Sequence, residues 1–105
     1  MLPTARKVLV LLVLMVFSIA ARAALVRGRL LRGQSPAPGI PVTVWCQPLG
    51  RSVPVYSGAD GMYYIPNVPQ GQYVLEIWAV PNGAPITFVI NIIEPGTDVN
   101  PIYVP

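Results

Sequence analysis

The stretch Ser57 to Ala79, SGADGMYYIPNVPQGQYVLEIWA, decides how the rest of the chain is read. Asp60-Gly61 signals a turn, because glycine accepts positive φ without steric cost and aspartate can bond its own backbone. Beyond it, Tyr63 and Ile65 share one face of a strand. Asn67, Pro69 and Gly71 reverse the chain again. Tyr73, Leu75, Ile77 and Ala79 then alternate with Val74, Glu76 and Trp78 at the period of two that marks a half-buried strand. Glu76 identifies the outward phase, which turns Tyr73, Leu75 and Ile77 inward.

Working outward, the flanking segments read as strands that cover this pair. From Ala24 to Leu31, Val26 and Leu30 face inward while Arg27 and Arg29 stay in water. The polar turn GQSPAPG, Gly33 to Gly39, separates this first strand from a second, in which Ile40, Val42, Val44 and Cys46 point inward and Thr43, Trp45 and Gln47 outward. Val53 and Val55 alternate with Pro54 and Tyr56 in a third strand, which its proline assigns to a sheet edge. After the loop at Pro81, Asn82, Gly83 and Pro85 comes the run Ile86 to Ile93, with Phe88, Ile90 and Ile92 turned inward. Its other face is apolar too, so this strand is either covered on both sides or exposes a hydrophobic strip. Pro95-Gly96 leads into a last strand, Val99 to Val104, with Ile102 and Val104 inward. Twelve of the 13 prolines follow residue 23 and interrupt every window of helical length. The expectation is an all-β, seven-stranded Greek-key β-sandwich.

The first 23 residues read differently. Arg6 and Lys7 precede an apolar run from Val8 to Ile19, and Ala21-Arg22-Ala23 has the small-x-small pattern of a signal peptidase site. The run is shorter than the roughly 20 apolar residues that cross a bilayer, which argues against a permanent anchor. A leader over 1–23 is therefore expected as a signal-peptide helix, cleaved after Ala23 or, as second choice, after Ala20. Residues 24–105 form one domain. Its product is periplasmic or secreted, with no stable membrane span after cleavage.

The formal charge of +3 belongs to the leader. Arg6, Lys7 and Arg22 lie there, whereas Arg27, Arg29, Arg32 and Arg51 balance Asp60, Glu76, Glu94 and Asp98 in the body. A neutral body without lysine lacks the electrostatic footprint of nucleic-acid binding. Cys46, the single cysteine, has no partner for an intramolecular disulfide. With no histidine or lysine near it to lower its pKa, it reads as a small core residue rather than a reactive thiol.

The pattern D-G-x-Y-x-x-x-N-V-P-x-G-x-Y-x-L-x-I-x-A, from Asp60 to Ala79, resembles the carboxypeptidase regulatory-like domains of the transthyretin-like (prealbumin-like) β-sandwich. The V-x-G-x-L opening at Val26 and the P-x-P-G-I-P-V-T-V run from Pro36 extend the resemblance over nearly all of 24–105. These are structural signals and carry no catalytic residue. Hydroxyisourate hydrolases of the same fold use histidines, and the chain has none. Collagen-adhesin B-type domains need a lysine for their isopeptide link, and Lys7 in the leader is the only one. Gly58 stands where the family often has an acidic residue, which weakens a metal role for that turn.

The four carboxylates fall at turns or on an outward strand phase, where solvation is the usual state. No enzyme activity, cofactor or metal is therefore expected. What remains is a non-catalytic binding or structural module, with a carbohydrate-binding module or an accessory subunit of an envelope enzyme as alternatives. The resemblance to transthyretin implies that the third, second, fifth and sixth strands share a sheet in that order, with Trp45 between Tyr56 and Trp78. Trp45, Tyr56, Trp78, Val89 and Ile93 are the expected partner-binding strip. Its partner is a protein or a glycan of the cell envelope. The alternatives are that these aromatics only cover their sheet, or that the strip packs against its own copy in a homodimer.

Overall fold

The computed structural model describes residues 23–105. Its strands are β1 (Ala24–Arg32), β2 (Ser35–Pro36), β3 (Pro41–Cys46), β4 (Gly50–Arg51), β5 (Val55–Tyr56), β6 (Met62–Val68), β7 (Gly71–Ile77), β8 (Ile86–Ile92), β9 (Gly96–Asp98) and β10 (Ile102–Tyr103). The expected leader, with its cleavage position after Ala20, lies outside the described residues. β1 opens at Ala24, next to the other expected cleavage position.

The strands form two packed sheets. In the first, β1 pairs antiparallel with β6, setting Val26 against Ile65 and Gly28 against Tyr63. It also pairs in parallel with β9 and β10. The second sheet runs β4-β3-β7-β8, with β5 also on β3, which is the order expected for the third, second, fifth and sixth strands. Val26, Leu30, Tyr63 and Ile65 from the first sheet bury against Val42, Val44, Leu75 and Ile77 from the second. These are the inward phases of the alternation. Each such side chain contributes roughly 1.5–3 kcal/mol relative to leaving it in water.

The turn before β6 shows why the deciding stretch folds as it does. Asp60 Oδ1 accepts the Met62 N–H at 3.0 Å, and the Gly61 N–H donates to the Gly58 carbonyl at 2.9 Å. Gly61 has φ +78°, and a Cβ there would stand 2.4 Å from the Leu30 carbonyl oxygen. Only glycine fits that approach. Asn67 and Asn82 take positive φ in their turns, as short polar side chains allow.

Among the described residues, ten strand segments stand in place of the seven expected. The third strand, expected from Val53 to Tyr56, is reduced to β5 because Pro54 has no N–H to give, while β4 forms ahead of it and Ser52 takes over part of the ladder between them. Its N–H donates to the Val44 carbonyl at 2.9 Å while its hydroxyl accepts the Val44 N–H at 3.0 Å. Val53 is left 82% exposed. The last strand, expected over Val99 to Val104, is reduced to β10, and a further strand, β9, forms where the chain was expected only to turn after Pro95. Phe88, expected inward, is 40% exposed, because β8 is the outer strand of its sheet and no described strand pairs with its free edge to complete the cover. Cys46 is half-buried against the core rather than fully inside it.

Candidate functional site

The outward face of the second sheet is organised in rows that run across the strands. Tyr56 on β5 lies opposite Pro41 on β3, and the Trp78 N–H donates to the Pro41 carbonyl at 3.0 Å. Tyr56, Pro41 and Trp78 therefore form one row. Two residues along, Thr43 lies opposite Glu76 and Glu76 opposite Thr87. Two further along, Arg51, Trp45, Val74 and Val89 form a third row.

This corrects the expected strip. Trp45 does not sit between Tyr56 and Trp78, because the registers place it four residues along β3 from Pro41, about 13 Å away at strand rise. Tyr56 and Trp78 come together. Trp45 and Val89 share a different row, and Ile93 lies past the end of β8. Tyr56, Val89 and Ile93 are well exposed and Trp45 partly so, at 38%. Trp78, expected to be exposed, is half-buried.

The middle row explains the difference. Glu76, expected outward and solvated, is 6% exposed, and Thr43 is buried as well. Arg51 folds over them from the edge strand. Its Nε donates to Glu76 Oε1 at 2.6 Å and its Nη2 to Oε2 at 2.9 Å, the two-pronged geometry that suits a guanidinium and a carboxylate. Thr43 Oγ1 donates to the same Oε1 at 2.7 Å, and Trp78 Nε1 donates to Thr43 Oγ1 at 3.0 Å. The Arg51 guanidinium carbon lies 5.6 Å from the Trp78 ring centroid, within reach of a cation–π contact. Hydrogen bonds from Arg51 hold the Glu76 carboxyl below its ordinary value, against the opposing effect of burial, and Thr43 adds to the lowering. The Arg51 guanidinium is raised in return.

Beside this network lies an open groove of about 480 Å3, lined by Pro41, Thr43, Arg51, Tyr56, Trp78 and Pro81 among others. Its walls are aromatic rings and proline rings, and its one charge, on Arg51, is half in solvent. Sequence reasoning missed Thr43, Glu76 and Arg51 as site residues. The available signal was an arginine and a glutamate on strands that the expected sheet order places either side of β3. Glu76 has both oxygens committed, so the groove offers surface and a partly engaged cation rather than a free acid or base. Among the described residues no cluster of three histidine, cysteine, aspartate or glutamate side chains is placed to hold a metal.

Solved structures share this architecture. A DUF3823 family protein from Parabacteroides merdae superposes with a TM-score of 0.54 at 17% identity, over 76% of this chain and 45% of its own. The 5-hydroxyisourate hydrolase of Klebsiella pneumoniae gives 0.57 at 15% identity, over 75% and 89%. The major pilin subunit of Bacillus cereus gives 0.55 at 13%, over 78% and 29%. The chain thus spans less than half of the first protein and under a third of the pilin. No protein-family model matches the sequence, and no curated protein does. At these identities the similarity shows the fold, a transthyretin-like β-sandwich.

Proposed function

We propose that this chain is a small exported, non-catalytic module, periplasmic or secreted, that binds a partner through the groove beside Trp78. The observation that carries the reading is the pinned indole. Its N–H is tied to Thr43 and Arg51 lies near its ring, while Tyr56 stands 62% exposed in the same row. A rigid aromatic surface loses little conformational entropy on binding, which is why such residues dominate interfaces.

The reading against catalysis rests on residue chemistry. The chain has no histidine, and Glu76, the carboxylate nearest the groove, is held by Arg51 and Thr43. The histidine-dependent chemistry expected of hydroxyisourate hydrolases has no residue here to perform it.

A glycan is the second reading, since sugar rings stack on exposed aromatic faces and Arg51 keeps part of its guanidinium in water. The test is Trp emission, with Trp45→Phe isolating Trp78, titrated with cell-wall glycan fragments and with neutral oligosaccharides. Saturable quenching that Tyr56→Ala weakens supports the glycan reading. Binding of an envelope protein that survives Trp45→Phe but is lost in Tyr56→Ala supports a protein partner. If neither class of ligand depends on Tyr56, the groove is not the site.

A further inference from the structure

β8 is the outer strand of its sheet, paired to β7 along its whole length from Ile86 opposite Ile77 to Ile92 opposite Gly71. Among the described residues, no strand and no backbone hydrogen bond occupies its other edge between Ile86 and Ile92. Such an edge carries a row of N–H and C=O groups ready to pair with another strand, and proteins usually blunt it with charge, proline, a bulge or shortness. β8 has none of these devices. It runs seven residues as ITFVINI, with no charged residue, no proline and an unbroken register.

The core is also unfinished on this side. Phe88 belongs to the inward phase yet is 40% exposed, and Val89 on the opposite phase is 69% exposed. Along the strand opens a groove of about 680 Å3, whose other wall is the segment Thr97–Tyr103.

The sequence of β8 indicates what fits beside it. Read outward from Val89, it mirrors itself in kind: Phe88 with Ile90, Thr87 with Asn91, Ile86 with Ile92. An antiparallel strand of the same sequence, centred on Val89, therefore sets apolar against apolar and polar against polar, and opposes no like charges. We propose that β8 is the contact through which two copies of this chain pair edge to edge, antiparallel about a two-fold axis at Val89, joining their sheets into one. Phe88 of each copy then lies beside Ile90 of the other at the mouth of the groove. The two Val89 side chains meet on the outer face with Cβ atoms about 5 Å apart. The interface is isologous, so it closes at two copies. Tyr56 lies at the opposite edge of the sheet, which leaves the aromatic groove uncovered.

Sedimentation of the exported protein tests this, with far-UV circular dichroism as the check that each variant folds. The expected result is twice the chain mass for the wild type and single-chain mass for Val89→Lys and for Val89→Glu, each of which opposes like charges at the axis. An equimolar mixture of the two variants should recover the dimer, because opposite charges then meet. The double variant Trp45→Ala/Tyr56→Ala should remain dimeric. A monomeric wild type, a dimeric Val89→Lys, or a dimer lost only in the aromatic double variant would overturn the proposal. Hydrogen exchange of the wild type reads the same edge without any substitution. Protection of alternate β8 amides should rise with protein concentration, and protection independent of concentration would equally overturn it.

Discussion

The ring of Tyr63 occupies the space that a side chain on Gly28 would need. The two are register partners across β1 and β6, and a Cβ on Gly28 would stand 2.3 Å from the Tyr63 hydroxyl oxygen. Tyr63 is fully buried, so it has no room to yield. Gly28→Ala is expected to destabilise by about 1–3 kcal/mol, as overpacking does. Thermal melting checks it, and an unchanged midpoint would mean the ring can move aside.

The hydroxyl of Tyr63 has no hydrogen-bond partner among the described residues, and burial pushes its pKa up. A buried hydroxyl without a partner costs about 1–3 kcal/mol of desolvation. Tyr63→Phe removes that group and keeps the ring, so its melting midpoint should equal or exceed that of the wild type. A clear loss of stability would reveal a bonded partner, such as an internal water.

Leu75 is fully buried between Tyr73 and Ile77 on the inward phase of β7. Leu75→Ala should cost about 2–5 kcal/mol through lost burial and the cavity left behind. In a domain of this size that approaches the whole stability. Chemical denaturation checks it, and an unchanged midpoint would contradict the register of β7 with β3.

The inward phases of β1, β3, β6 and β7 were legible because alternation of period two leaves a strand little choice of face. Turn residues were legible for a similar reason, since Asp60-Gly61, Asn67 and Asn82 have local conformational preferences that packing does not override. What alternation could not reveal was Glu76. A carboxylate on the outward phase is solvated by default, and its burial here depends on Arg51, which reaches it from a strand far away in sequence. Trp78 was misjudged as a consequence, because its indole bonds to Thr43 beneath that cover. The part of Ser52 between β4 and β5 was also hidden, because its hydroxyl takes a backbone role that no pattern of polarity announces.

Ser57, the first residue of the deciding stretch, fastens the Gly33–Gly39 turn to β5. Its hydroxyl donates to the Ala37 carbonyl at 2.6 Å and accepts the Ile40 N–H at 2.9 Å, all in a buried setting. Ser57→Ala leaves both backbone groups without that partner and should cost about 1–3 kcal/mol. Hydrogen exchange at Ile40 locates the effect, which should be faster than in the wild type while the amides of β6 keep their order of protection.

The network of Arg51, Glu76, Thr43 and Trp78 should make the groove sensitive to acid. Glu76 has its folded pKa lowered, chiefly by the hydrogen bonds from Arg51, so its contribution to stability is present above the ordinary carboxylate value of 4.5 and is lost as pH falls through the lowered folded value. Protonation neutralises the carboxylate that holds Arg51 in place and weakens the acceptor that orients Thr43 toward Trp78. With Trp45→Phe isolating Trp78, emission should stay constant from neutral pH down to the ordinary carboxylate range and shift to the red below it. Glu76→Gln should abolish that transition, because the amide does not titrate there. Arg51→Ala should shift emission to the red already at neutral pH, and it should also destabilise the fold by leaving a buried carboxylate with Thr43 alone. Emission from Glu76→Gln that still titrated like the wild type would assign the acid response to another carboxylate, Asp98 being the other one held low by an arginine.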